Sequence, residues 1–288
     1  MITHKENNIR VLRFLLLLSL TGRVISAGGD QENHGFIQKI TSPVYDDVRA
    51  VISSPARMTK TDVLRLSAFT LITAGFIYRY DGQIDEAFYR DTGKLNYNNG
   101  LLVLGKNLAK VGNVYNTIKP VYFLTGLTSA ILLGGVIAQD SKLVDTARLM
   151  SESFLITGAF TTFGKVLFGR SRPFMEKGPH DFHFFEYRMR NRFLSMPSGH
   201  SSSIFSVMTV IANQYPHWWI RLPAYTFCVS VALQRIDAHQ HWASDVIVGG
   251  AIGYWVGKTL VNKHKKSSNK SAVYPAASQG QVGIKLYF

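Results

Sequence analysis

A chain of 288 residues with 46% hydrophobic content is long enough for one large domain with a real core. Its formal net charge of +14 asks for an anionic partner, whether nucleic acid, an anionic membrane surface or a phosphorylated small substrate. The single cysteine, Cys228, excludes an internal disulfide and a cysteine-built metal cage, and its apolar surroundings read as those of a buried, inert thiol.

At the N-terminus, Arg10 and Arg13 precede the apolar stretch Phe14 to Leu20, and the small residues Val24, Ser26 and Ala27 follow. That order reads as an export signal over residues 1–27, with an uncleaved anchor as the alternative. Residues 28–62 form a polar segment that breaks at Ser53-Ser54-Pro55. Uncharged apolar runs then recur at Leu66 to Tyr78, Pro120 to Gln139, Ser153 to Gly164, Ser201 to Tyr215, Leu222 to Gln234 and Val246 to Gly257. With little period-two alternation between them, these runs predict an all-α six-helix bundle over residues 63–262. Only Pro120 to Gln139 is long enough to span a bilayer unaided. The glycines Gly249, Gly250, Gly253 and Gly257 are nonetheless spaced for the close helix packing found in lipid, which tips the reading toward a membrane-embedded bundle over a soluble periplasmic one. Asp81 to Gly112 mixes charges with Gly and Asn; its Leu101 to Val111 part fits an amphipathic helix, and no chemistry is assigned to it. Residues 263–288 read as a flexible tail that is basic at Lys263, Lys265 and Lys266 and alternates at Val282 to Phe288.

Three clusters carry chemistry. Lys165 is followed after six residues by Arg172-Pro173, and if the helix continues, the two cations share a face two turns apart and make an anion site. A basic helix end placed against the helix dipole gives the same pattern. Pro197-Ser198-Gly199-His200 opens an apolar helix, where free backbone N–H groups welcome a phosphate oxygen; a plain helix cap beside an incidental histidine is the other reading. Arg235, His241 and Asp245 complete the set. At i and i+4 on a helix, Asp245 can accept a hydrogen bond from one ring nitrogen and leave the other as a directed nucleophile, although a surface ion pair has the same spacing. His239 does not extend this to a metal site, because positions two apart on a helix diverge and no further ligands are at hand.

Together, Lys165-x6-Arg172-Pro173, Pro197-Ser198-Gly199-His200 and Arg235-x5-His241-x3-Asp245 resemble the three-part motif of the type 2 phosphatidic acid phosphatase superfamily, which shares its pocket with bacterial class A acid phosphatases and vanadium-dependent haloperoxidases. The resemblance covers roughly residues 117–260. It implies a phosphatase without cofactor or metal, in which Lys165, Arg172, Ser198, Gly199 and Arg235 bind the phosphoryl group. It further implies that His241 attacks phosphorus, Asp245 orients it and His200 serves the leaving group. The aromatic segment Phe182 to Phe193 and the apolar helices point to an amphiphilic substrate: phosphatidate, phosphatidylglycerol phosphate, lipid A or an isoprenyl diphosphate. The expected place is the bacterial envelope membrane, with the site facing the periplasm. A soluble periplasmic acid phosphatase, a vanadium haloperoxidase and a noncatalytic lipid-phosphate binder are the competing readings. No nucleic-acid motif accompanies the basic charge.

Overall fold

The computed structural model describes residues 45–89 and 100–271. The expected leader and the alternation at Val282 to Phe288 lie outside them. The chain forms two compact units, Met1–Asp47 and Val48–Phe288, and all that follows concerns the second. From Lys60 onward its described residues hold eight α-helices: α1 (Lys60–Gly75), α2 (Asp81–Tyr89), α3 (Gly100–Ile118), α4 (Pro120–Ile137), α5 (Ser141–Phe168), α6 (Gly199–Gln214), α7 (Trp218–Asp237) and α8 (Ala243–Ser271). A π-helical turn, Phe76–Tyr80, joins α1 to α2. Among the described residues there is no β-strand, only an isolated bridge between Arg170 and Phe182.

The all-α expectation holds, and the helix number is corrected from six to eight. The six apolar runs are α1 and α4 to α8; α3 contains the expected amphipathic stretch Leu101 to Val111, and α2 is the added helix that was not expected. Helix α3 buries Gly105, Ala109, Gly112 and Tyr115, a packing face of small residues at helical spacing that no apolar run announces. The one buried residue of α2 is the charged Asp81. Helix α8 runs to Ser271, so residues 263–271 of the expected tail are helical.

Local chemistry sets the ends that matter. Asp140 caps α5, its Oδ1 accepting the N–H groups of Lys142 (2.8 Å) and Leu143 (3.2 Å). The other end of α5 stops at Gly169, whose φ of +53° is left-handed. A Cβ there would stand 1.7 Å from the His183 carbonyl oxygen, so glycine is required twice over. Ser198 caps α6.

Helix α8 packs most extensively on α6, and the contact is a stripe of small residues. Cβ atoms at Gly249, Gly253 and Gly257 would fall 2.5, 2.2 and 2.6 Å from the carbonyl oxygens of Ser198, Ser202 and Ser206. Both helices repeat a small residue every fourth position, so the two backbones touch. Gly250, grouped with the stripe by sequence, faces the Phe205 ring instead. Around this pair Tyr115, Leu149, Met150, Ile204, Val207, Val231 and Leu260 form the core.

Among the described residues one helix, Pro120–Ile137, is long and apolar enough to cross a membrane. Its Leu132, Leu133, Val136 and Ile137 are exposed, as are Leu64, Leu71 and Ile72 on α1 and Leu101 and Val111 on α3.

Candidate active site

The chain leaves α5 at Gly169, so Lys165 lies in the last helical turn and Arg172 beyond the helix. The expectation that the two share a helical face is corrected: an extended segment turns Arg172 back. Its backbone N–H donates to the Arg192 carbonyl (3.0 Å). Its guanidinium is fixed by Asn191, through Nε to the carbonyl (2.9 Å) and Nη2 to Oδ1 (3.0 Å), and by Gln240 Oε1 (3.1 Å). Lys165 Nζ donates to the Leu194 carbonyl at 2.5 Å.

Between these two cations stands Arg170, fully buried and read from the sequence only as motif spacing. Nη1 donates to Asp245 Oδ1 (2.7 Å) and to Ser244 Oγ (2.7 Å), and Nη2 to Asp81 Oδ2 (2.7 Å) and to the Pro179 carbonyl (2.6 Å). Arg170 is thus committed to protein carboxylates, which leaves Lys165, Arg172 and Arg235 as the cations for a ligand.

The second motif sits at the start of α6. Ser198 Oγ accepts from the Ser201 N–H (3.5 Å) and hydroxyl (3.3 Å), so the serine is a cap whose own O–H remains to donate. The Ser198 N–H donates to the Asp245 carbonyl (3.0 Å), which joins the second motif to the third. A Cβ on Gly199 would meet Lys165 Cε at 3.8 Å, so the first motif lies against the second. His200 follows in the first turn, with the buried Tyr115 edge-on at 5.9 Å between ring centroids.

Arg235 ends α7. Its Nη1 donates to Asn116 Oδ1 on α3 (2.8 Å), and its buried Nε has no partner among the described residues. Such an orphan donor is the mark of a site built for an oxygen ligand. His241, 2% exposed, lies in the loop 238–242 and not on α8, which corrects the shared-helix reading of His241 and Asp245. Trp242 precedes α8, and Asp245 in the first turn reaches back to accept its N–H (2.9 Å), half of a capping box. Oδ2 of Asp245 also accepts Ser195 Oγ (2.5 Å). It stands 3.7 Å from His241 Nδ1, near but outside hydrogen-bond length. His239 leaves this group altogether: its Nδ1 pairs with Asp85 Oδ1 (2.8 Å) and its ring stacks on Tyr89.

Burial, then the positive charges of Arg172 and Lys165, hold the His241 imidazole well below its ordinary range, so it is neutral at neutral pH. All eight residues read from the motifs converge on this one neighbourhood. Sequence reasoning missed Arg170, Asn191, Ser195, Gln240, Tyr115, Asn116, Asp81 and Asp85. Gln240 and Ser195 stand beside motif residues, a usable signal; Asp81 and Asn116 reach the site across more than a hundred residues from their partners in α8 and α7, where spacing says nothing.

The PAP2 superfamily model matches residues 147–268. The chain is 31% identical over 105 residues to a lipid A 1-phosphatase of Porphyromonas gingivalis, covering 36% of this chain and 20% of that protein. It is 29% identical over 130 residues to a lipid A 1-phosphatase of Rhizobium johnstonii, covering 40% of this chain and 51% of that protein. The chain thus spans about half or less of the length of these relatives. Among solved structures, a transmembrane PAP2 type phosphatidylglycerolphosphate phosphatase from Bacillus subtilis is similar at 17% identity and a TM-score of 0.48, covering 73% of this chain and 98% of that one. The segment similar to the PAP2 superfamily, residues 147–268, is the one that carries Lys165, Arg172, Ser198, His200, Arg235, His241 and Asp245.

Proposed function

We propose that this protein is a metal-independent phosphatase acting on a phosphorylated membrane lipid through a phosphohistidine on His241. The observation that carries the reading is the juxtaposition of a neutral, buried His241, 3.7 Å from Asp245, with three basic side chains not spent on each other. A site that only binds phosphate needs the cations but neither a neutral nucleophile nor a carboxylate behind it.

With Nδ1 on the Asp245 side, Nε2 is the attacking atom. It forms a bond to phosphorus as the bond to the leaving oxygen breaks, and His200 gives that oxygen its proton. Water then attacks the phosphorus, His200 takes its proton, and the P–N bond breaks to release phosphate. Lys165, Arg172 and Arg235, with the Ser198 hydroxyl and the Gly199 N–H, hold the three phosphoryl oxygens while their charge is shared in the transition state.

A lipid substrate is supported by the surface around the site. Phe184, Phe185 and Tyr187 are exposed on the loop between the first two motifs, and Trp218 and Trp219 at the start of α7. Aromatic side chains in such places anchor a protein at the membrane interface. The exposed apolar helix α4 supports embedding in the bilayer. An apolar groove of about 690 Å³ runs along α7 and α8 and includes Ile236 and Val246, the residues that follow Arg235 and Asp245. Similarity to two proteins named lipid A 1-phosphatase supports lipid A as the first candidate substrate. Our reading sets the site on the periplasmic face of a bacterial envelope membrane.

The test is phosphate release from lipid A, phosphatidate, phosphatidylglycerol phosphate, an isoprenyl diphosphate and a soluble ester, each in excess chelator. Release from a lipid, lost in His241→Ala, is the expected result. Release only from the soluble ester overturns the lipid assignment. Activity that the chelator removes, or bromide oxidation with bound vanadate and no phosphate release, overturns the mechanism.

A further inference from the structure

Asp81 opens α2, outside the segment that the family model matches, yet its carboxylate is fully buried against the catalytic loop. Oδ1 accepts the Ser244 N–H (2.8 Å); Oδ2 accepts Ser244 Oγ (2.5 Å) and Arg170 Nη2 (2.7 Å). Ser244 is the second residue of α8, so Asp81 caps from another helix the end that carries Asp245. Arg170 lies between two carboxylates, each 2.7 Å away and, like it, 0% exposed. Four residues further along α2, Asp85 holds His239 of the same loop (2.8 Å). Two carboxylates one helical turn apart therefore fasten α2 to the loop of the nucleophile.

We propose that Asp81 is a positioning residue of the phosphatase reaction, acting through Arg170 and Ser244 on Asp245. The inference rests on the function proposed above. In a buried network the charge on one carboxylate depends on what else shares its cation. With Asp81 present, Arg170 divides its donors between two anions, and Asp245 keeps negative charge to offer His241 as attack on phosphorus makes the imidazole cationic. Without Asp81, the Arg170 guanidinium is neutralised by Asp245 alone. Asp245 then turns toward Arg170, and the 3.7 Å gap to His241 is not closed.

The experiment is a double-mutant cycle on the full chain in detergent, with the lipid phosphate that the wild type hydrolyses fastest. Asp81→Asn is expected to lower kcat about ten- to a hundredfold, the range for outer-shell partners, while KM moves by less than about threefold. In an Asp245→Asn background the same change is expected to cost less than about twofold, because its route to His241 is already cut. An equal loss in both backgrounds, a loss wholly in KM, or no loss in the wild-type background overturns the proposal. If Asp81→Asn does not fold, Ser244→Ala removes the hydroxyl that bridges Asp81 and Arg170 without stranding a charge. It should lower kcat in the wild-type background only, and an unchanged kcat is equally fatal to the proposal. Wild-type and His241→Ala controls separate the two readings. An inactive wild type sinks the phosphatase assignment, whereas an active wild type, a dead His241→Ala and a fully active Asp81→Asn sink the positioning role alone.

Discussion

His241 Nδ1 stands 3.7 Å from Asp245 Oδ2 because that oxygen already accepts Ser195 Oγ at 2.5 Å and the Trp242 N–H at 2.9 Å. Those two donors take both lone pairs of Oδ2, so an imidazole brought into range by a shift of under about 1 Å shares one of them in a three-centre bond without breaking the cap of α8. Catalytic hydrogen bonds are often long until the substrate arrives. Asp245→Asn keeps the shape but removes the charge that steadies the imidazolium and presents an N–H where an acceptor is needed. We expect kcat to fall by about 10² to 10⁴ with the protein still folded, checked by turnover and thermal melting on the same sample.

The depressed state of His241 predicts a pH profile. Burial and the nearby Arg172 and Lys165 favour the neutral ring, so activity should not fall through the ordinary histidine range near 6.5; the acid limb from this group belongs well below it. Stability carries the same sign. Once unfolded, the ring returns to its ordinary value and takes up a proton that the folded ring refuses. Stability must therefore decline as the pH drops below about 6.5. Melting curves of wild type and His241→Gln from pH 7.5 to 5 should diverge in that window, the variant losing less.

Arg172 is expected not to tolerate lysine. Its guanidinium is oriented by Asn191 Oδ1 at 3.0 Å and Gln240 Oε1 at 3.1 Å, contacts that use the planar fork. An ammonium keeps the charge but not the two supports, so the remaining donors are no longer aimed. Losing one or two charge-assisted bonds, about 1.5 to 3 kcal/mol each, should cost Arg172→Lys about ten- to ten-thousandfold in kcat/KM. Steady-state kinetics checks this, and Asn191→Ala should reproduce part of the loss.

The three motifs were legible because their chemistry is packed into short spacings: Lys165 to Pro173, Pro197 to His200 and Arg235 to Asp245. What spacing could not tell was the conformation between the spaced residues. Gly169 ends α5 four residues after Lys165, and loop 238–242 takes His241 off the helix, so both pairs meet through turns. Helix α2 stayed hidden, and α3 was legible only as the amphipathic stretch Leu101 to Val111, for another reason. Their buried faces are made of Asp81, Gly105, Ala109, Gly112 and Tyr115, residues that are small or polar because they meet a backbone or a charge. Apolar periodicity finds helices that pack by oiliness, and it passes over helices that pack by fit.

The stripe between α6 and α8 gives the last prediction. Asp245 and Ser198 belong to different motifs, and their backbone bond of 3.0 Å exists only because α8 lies against α6 at glycine distance. In Gly253→Ala, the new methyl would fall 2.2 Å from the Ser202 carbonyl oxygen and 2.7 Å from the Ser206 nitrogen, both backbone atoms that cannot swing aside. The helices must separate, at a cost of about 1 to 3 kcal/mol or more, and the separation moves Asp245 away from the cradle at Ser198. Gly158 on α5 is the control, since a Cβ there meets nothing within 4 Å. In that open position alanine should leave activity unchanged and, by helix propensity, stabilise by up to about 1 kcal/mol. Thermal melting and turnover of the two variants should therefore move apart, Gly253→Ala losing both stability and kcat and Gly158→Ala losing neither.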